Sequence, residues 1–222
     1  FSCSDDDSPQ QNNSITDIAS ENPNFSILVE ALSRDDLAET LDQEGSYTVF
    51  APTNEAFMNF LDDNGFESLD DVPVATLTQV LLNHVVSGTN LSSGLTTGYV
   101  KTLATGSASS TNTLSMFINT ASGVRLNGVS SVTTADIIAD NGVIHVVDAV
   151  IGLPTIVTHA TANPNFSDLV GALTAEGQPD FVGILSGTSS SPFTVFAPSN
   201  AAFATFESQN PGTIASLTSE QL

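Results

Sequence analysis

The stretch Thr48-Val49-Phe50-Ala51-Pro52-Thr53-Asn54-Glu55-Ala56-Phe57 returns later in the chain as Thr194-Val195-Phe196-Ala197-Pro198-Ser199-Asn200-Ala201-Ala202-Phe203. The chain therefore reads as a tandem repeat. In each copy a β-prone apolar run meets a proline, which lacks a donor and favours extended geometry before it, so a strand should end there. A helix should follow, with Thr53 or Asn54 in one copy, and Ser199 or Asn200 in the other, offering a side-chain oxygen to its first amides. Phe57, Phe60 and Leu61, like Phe203 and Phe206, then fall on one helical face.

Upstream, Ser14 and Asp17 form an S-x-x-D pattern suited to a helix start, and Asn22-Pro23-Asn24 should break that helix. Phe25, Leu28, Val29 and Leu32 mark the next helix, with Leu37 and Leu41 on a short turn behind it. The text Asn22-Pro23-Asn24-Phe25-Ser26 recurs as Asn163-Pro164-Asn165-Phe166-Ser167, and a Gly- and Ser-rich connection around Gly187 to Ser191 takes up the difference in spacing between copies. Downstream, Asp62 to Asp71 is turn-like, and Pro73 precedes a helix carrying Leu77, Val80, Leu81, His84 and Val85, with His84 on its buried face. From Tyr99 the text changes to short β-type pieces, Tyr99 to Leu103, Leu114 to Asn119, Gly123 to Leu126 and Val129 to Val132. Asn127-Gly128 and Asn141-Gly142 both suit tight hairpin turns and antiparallel pairing. Gly142 to Val147 has the continuous apolar character of a strand buried on both faces. The second copy holds only the opening helices, the strand-proline motif and the start of a further helix at Leu217 to Leu222, so it should be the less stable part.

Three Lys and Arg against 25 Asp and Glu give a formal charge of −22, which opposes phosphate-backbone binding and argues against a nucleic-acid partner. With 40% hydrophobic residues the chain has material for packed cores. No apolar run approaches the roughly 20 residues that a spanning helix needs. No EF-hand loop accompanies the acidity. The single Cys3 stands before Ser4-Asp5-Asp6-Asp7 and a Pro, Gln and Asn stretch. This resembles the cleavage region of a bacterial lipoprotein, whose cysteine carries the lipid, and the Ser and Asp run is similar to a surface-export signal of Bacteroidetes lipoproteins. The alternative is a free thiol on a polar tail.

Three ordered blocks resemble the fasciclin domain. Thr48, Val49, Phe50, Ala51, Pro52, Asn54 and Phe57 stand for its first signature, and Asn141, Gly142, His145 and Asp148 for its second. His84 matches the histidine of its Tyr-His motif, with Asn83 where the tyrosine would be. The resemblance implies an α+β fold, a wedge of two β-sheets with surrounding helices. It divides the chain into a disordered lipoprotein-type tether over residues 1–13, a complete domain over 14–154 and the N-terminal half of a second domain over 155–222. It also implies a non-enzymatic, extracellular or surface-held adhesion module that binds protein or glycan, reaching a membrane only through a lipid anchor. The integrin-binding peptides of animal members have no counterpart here.

The residues themselves carry no G-x-S-x-G elbow, H-E-x-x-H, Walker loop or dinucleotide fingerprint, so no catalytic residue and no cofactor is assigned. His84 and His145 sit in apolar text, which suits buried imidazoles bonded to the backbone, and His159 stands where the first copy has Ile18. No metal site is assigned. Two other readings stay open: a structural spacer on the cell surface, and a hydrolase whose residues converge from distant segments.

Overall fold

In the computed structural model, residues 13–34, 37–42, 45–187 and 192–212 are described. Cys3, most of the tether, the tip of the Gly- and Ser-rich connection and the helix expected at Leu217 to Leu222 lie outside them.

The chain opens with helix α1, Ile15–Glu21, whose N-terminus is closed by a capping box between Ser14 and Asp17. A 3-10 turn at Pro23–Phe25 leads into α2, Ser26–Arg34, and α3 follows at Leu37–Asp42. The quoted motif forms strand β1, Tyr47–Pro52, and helix α4, Asn54–Asp63. Thr53 is the cap, its hydroxyl accepting from the Ala56 amide at 3.3 Å. Asn54 instead points back to the preceding elements. Helix α5, Val74–Leu82, precedes strands β2 (Val85–Ser87), β3 (Gly98–Gly106), β4 (Ser109–Asn119), β5 (Arg125–Leu126), β6 (Ser130–Ala139) and β7 (Gly142–Val147).

The seven strands close into one barrel, where a wedge of two β-sheets is expected. Closure comes from β7, which lies parallel to β1 with Thr48 opposite Val143 and Phe50 opposite His145, while β6 pairs with its other edge antiparallel. Because β1 is central, its two faces serve two cores. Val49 and Ala51 join Phe57, Leu77, Leu81 and Ile144 in the core under the helices. Phe50 points the other way, to Met116, Ile118, Leu126, Val147 and Ile151.

Two local expectations are corrected. The fifth helix ends at Leu82, and His84 occupies the turn before β2 rather than the helix face, because Val85 is already paired with Val49 of β1. Asn127-Gly128 adopts the two positive φ values of a tight hairpin, 48° and 71°, but Asn141-Gly142 does not form that turn. Gly142 has φ 153°, and a Cβ there would stand 1.9 Å from the Tyr47 carbonyl oxygen. Glycine is needed at this point so that β7 can close on β1.

The second segment repeats the opening elements as α6 (Ile156–Ala162), a 3-10 turn at Pro164–Phe166, α7 (Ser167–Leu173), α8 (Phe181–Ser186) and α9 (Asn200–Gln209). The strand expected at Val195 and Phe196 is absent; residues 192–199 carry no ladder. The physical reason is the absence of neighbours. In the first segment β1 is held between β2 and β7, and nothing among the described residues takes those places beside Val195. Phe50 is 1% exposed and Phe196, its counterpart, 92%.

Candidate functional site

The residues of the two signature blocks meet around β1 and β7, where each has a structural partner. Thr48 is buried, donating its hydroxyl to the Gly88 carbonyl at 2.6 Å and accepting from the Asn90 amide at 2.9 Å. Asn54 accepts from the Ile27 amide at 3.0 Å and donates to the Pro23 carbonyl and the Ser26 hydroxyl, which ties α4 to the α2 entrance. Asn200 reproduces that clamp on the Asp168 amide, the Pro164 carbonyl and the Ser167 hydroxyl. Asn141 bridges α1 and α3 by accepting from the Ile15 amide and donating to the Leu41 carbonyl, while its own carbonyl accepts from the Tyr47 amide. Asp148 accepts from the Ser131 amide at 2.7 Å. Pro52 ends β1 opposite Val147, and Phe57 is fully buried.

His84 is buried and fixed at both nitrogens. Its Nδ1–H donates to the Val80 carbonyl at 2.7 Å and its Nε2 accepts from the Ile151 amide at 2.9 Å, joining the end of α5 to the segment after β7. Burial lowers its pKa from 6.5 to about 4, against the opposing pull of the Val80 carbonyl, so the ring is neutral at pH 7. Asn83, read in the sequence only as a departure from a Tyr-His pair, is as buried and as engaged. It donates to the Ile151 and Gly152 carbonyls and accepts from the Thr102 hydroxyl.

His145 is buried against Phe50, donating from Nε2 to the Asn90 carbonyl at 2.9 Å and accepting at Nδ1 from the Asp136 amide at 3.2 Å. Asp136 takes a positive φ of 62° at an irregularity in β6, and its carboxylate accepts from both the amide and the hydroxyl of Ser92. Those two donors hold its pKa below the usual carboxylate value. Ser92, Asp136 and His145 are thus in contact, but the serine hydroxyl donates to the carboxylate and not to the imidazole. The order needed to activate a serine nucleophile is not formed. Asn90 and Asp136 carry no period or motif in the sequence that would have singled them out.

A further concavity lies in the second segment. It is an apolar cleft of about 340 Å³ lined by residues that include Ile156, Ala160, Leu169, Leu173, Val195 and Ala197. Their counterparts Ile15, Ala19, Leu28, Leu32, Val49 and Ala51 line a void of only about 20 Å³ in the first segment, closed there by Leu81, His84, Val85 and Ile144. The cleft is the counterpart of that face without its cover. His159 sits on its rim with its ring edge-on to Tyr99 of β3 at 5.5 Å. Among the described residues no cluster of three His, Cys, Asp or Glu side chains is placed to hold a metal ion, and no helix is long and apolar enough to cross a membrane.

A family model described as the fasciclin domain matches residues 23–154 and 164–222. Protein sll1483 of Synechocystis is 38% identical over 137 residues, which cover 62% of this chain and 72% of that protein. Human periostin is 32% identical over 174 residues, covering 75% of this chain and 19% of periostin, so the chain spans about a fifth of that relative. Among solved structures, a FAS1 domain pair from the insect cell adhesion molecule fasciclin I aligns with a TM-score of 0.52 over 84% of this chain and 64% of that one, at 20% identity. That likeness speaks to the fold.

Proposed function

We propose, since the chain belongs to the fasciclin domain family, that it is a non-enzymatic adhesion or matrix-binding module held outside the cell, recognising extracellular protein or glycan. Fasciclin domains are typically non-catalytic binding modules, and proteins that carry them are usually secreted or surface-located. The observation that supports the reading best is the use of the signature residues. Thr48, Asn54, Asn141, Gly142, His84 and His145 are all consumed in holding β1, β7 and the helices together. Recognition then falls to exposed surface, as it does where a rigid scaffold carries variable contacts.

Within this reading the chain is a tandem: a polar tether over residues 1–13, one complete domain over 14–154 and the N-terminal half of a second over 155–222. Two domains on one tether gain strength from effective concentration rather than from one deep pocket. Cys3 is the lipid attachment point and the tether's only link to a membrane. A formal charge of −22 works against acidic polysaccharide unless a divalent cation bridges the two. The partner is accordingly an extracellular protein or a neutral glycan.

An array of glycans and matrix proteins, probed with the 222-residue protein with and without calcium, tests this. Binding to a defined class, lost in variants of exposed residues that leave the urea midpoint unchanged, is the expected result. No binding to any member at high concentration would favour a surface spacer instead. Turnover of an ester, peptide or glycoside substrate that one side-chain change abolishes would replace the reading with an enzymatic one. For the anchor, mass spectrometry of the N-terminus made from a full-length precursor decides. An unmodified Cys3 with residues still ahead of it would refute attachment there.

A further inference from the structure

Residues of α6 and its C-terminal cap touch the first segment. His159 lies edge-on to the Tyr99 ring at 5.5 Å, and the Asn163 side-chain amide donates to the Tyr99 hydroxyl at 3.2 Å. Next to them, Gly128 approaches Ala162 so closely that a Cβ on the glycine would stand 3.2 Å from the Ala162 Cα. Ile18, at the corresponding place in α1, packs against the helix core of its own segment. The second segment thus has a titratable side chain where the first has an aliphatic one, and it faces the other segment.

The surroundings of that imidazole admit only its neutral form at low cost. Its Nδ1 is shielded from solvent and has no hydrogen-bond partner, so a proton there would be a buried donor without an acceptor. From β3 it faces Tyr99 and the Lys101 ammonium; beyond Gly128 the nearest charged group of the turn is Arg125, whose Nε donates to the Gly128 carbonyl. The side chains sharing the cleft from α7 and α8, Leu169, Val170, Phe181 and Leu185, are uncharged. Burial first, and the Lys101 charge second, push the His159 pKa below its ordinary value.

We propose that His159 is a titratable latch between the segments: the neutral ring keeps α6 seated on Tyr99, and its protonation unseats α6 and swings the second segment away from the barrel. In the seated state the imidazolium would place an unpaired charge beside Lys101, with its Nδ1 proton shut away from any acceptor. In the released state the same ring is hydrated. A ligand of protons that prefers one of two states shifts the balance towards it by that difference alone.

The test uses the whole chain between pH 7.5 and 5.0, following the His159 ring by NMR, the radius of gyration by small-angle scattering and the protection factors of α6 amides by hydrogen exchange. The expected result is that radius and loss of α6 protection rise together with the His159 midpoint, while β7 stays protected. His159→Phe keeps a ring against Tyr99 and should stay seated throughout. Tyr99→Ala should be released already at pH 7.5. A radius and α6 protection that stay constant while His159 titrates would overturn the latch. So would release of His159→Phe at the wild-type midpoint, or a Tyr99→Ala protein as compact as wild type.

Discussion

Replacing His84 with alanine should destabilise the protein by an amount that depends on pH in a defined way. At pH 7.5 the variant loses the acceptor for the Ile151 amide, whereas the Val80 carbonyl keeps a bond from the Asn83 amide at 3.2 Å. One orphaned buried donor costs about 1–3 kcal/mol, and the space left by the ring adds to it. Acid changes the comparison. The folded-state pKa of about 4 lies below the ordinary 6.5, so the contribution of the neutral ring is complete above pH 6.5 and is lost as the pH falls towards 4, because only the unfolded chain takes up the proton in that window. The 2.5-unit difference corresponds to about 3 kcal/mol at full extent, of which about 2 kcal/mol is lost by pH 5. The assay is urea unfolding of both proteins at pH 7.5 and 5.0. Carboxylates and the other histidines titrate alike in the two, so they cancel in the difference. The gap between wild type and His84→Ala should shrink by about 2 kcal/mol on acidification. A gap that is the same at both pH values would refute the argument, since it would mean that His84 ionises as freely in the folded protein as in the unfolded chain.

Asn54→Ala removes a side chain that makes three bonds to the α2 entrance and should cost about 1–3 kcal/mol by thermal or urea unfolding, while Asn200→Ala should leave the main transition in place. Gly142→Ala puts a methyl group into the Tyr47 backbone, and a loss of about 3 kcal/mol or more, or failure to yield folded protein, is expected. A variant as stable as wild type would show that β7 can close on β1 from a greater distance. Hydrogen exchange should be slow in Val143–Val147 and fast across residues 192–199, which have no ladder. Equal protection in both would mean that the second segment finds strand partners in solution.

Much of the local structure is legible in the sequence because it is written in short-range chemistry. The Ser14 box, the Thr53 and Ser199 caps and the apolar run of β7 need only neighbours within a few residues to be read. The closure of the barrel is not legible in that way. Two Asn-Gly pairs suggest hairpins throughout, but of the two asparagines only Asn127 has the positive φ, and Asn141 spends its side chain on Ile15 and Leu41, a hundred residues or more away in sequence. The end of the fifth helix is not legible for a related reason: Leu77, Val80 and Leu81 set a helical period that His84 and Val85 happen to continue, and long-range pairing of Val85 with Val49 overrides it. The same principle in reverse removed a strand. Thr194 to Ala197 matches Thr48 to Ala51 letter for letter, yet only the stretch with neighbours on both edges is a strand.

The parallel pairing of β1 with β7 also sets a timetable for synthesis. Thr48 and Val143 are joined across about 95 residues, so at about 5–20 residues per second a ribosome needs roughly 5 to 20 s after making the first of them before it makes the second. During that interval the β1 run can pair at most with β2, and the edge that β7 will cover has no partner, as residues 192–199 have no ladder in the finished protein. Contacts of such separation also slow the search for the native state once the chain is free. The phenylalanine of that run is therefore exposed to other chains for seconds on each round of translation, and Pro52, fixed at its end, limits how far a foreign strand can extend the ladder past it.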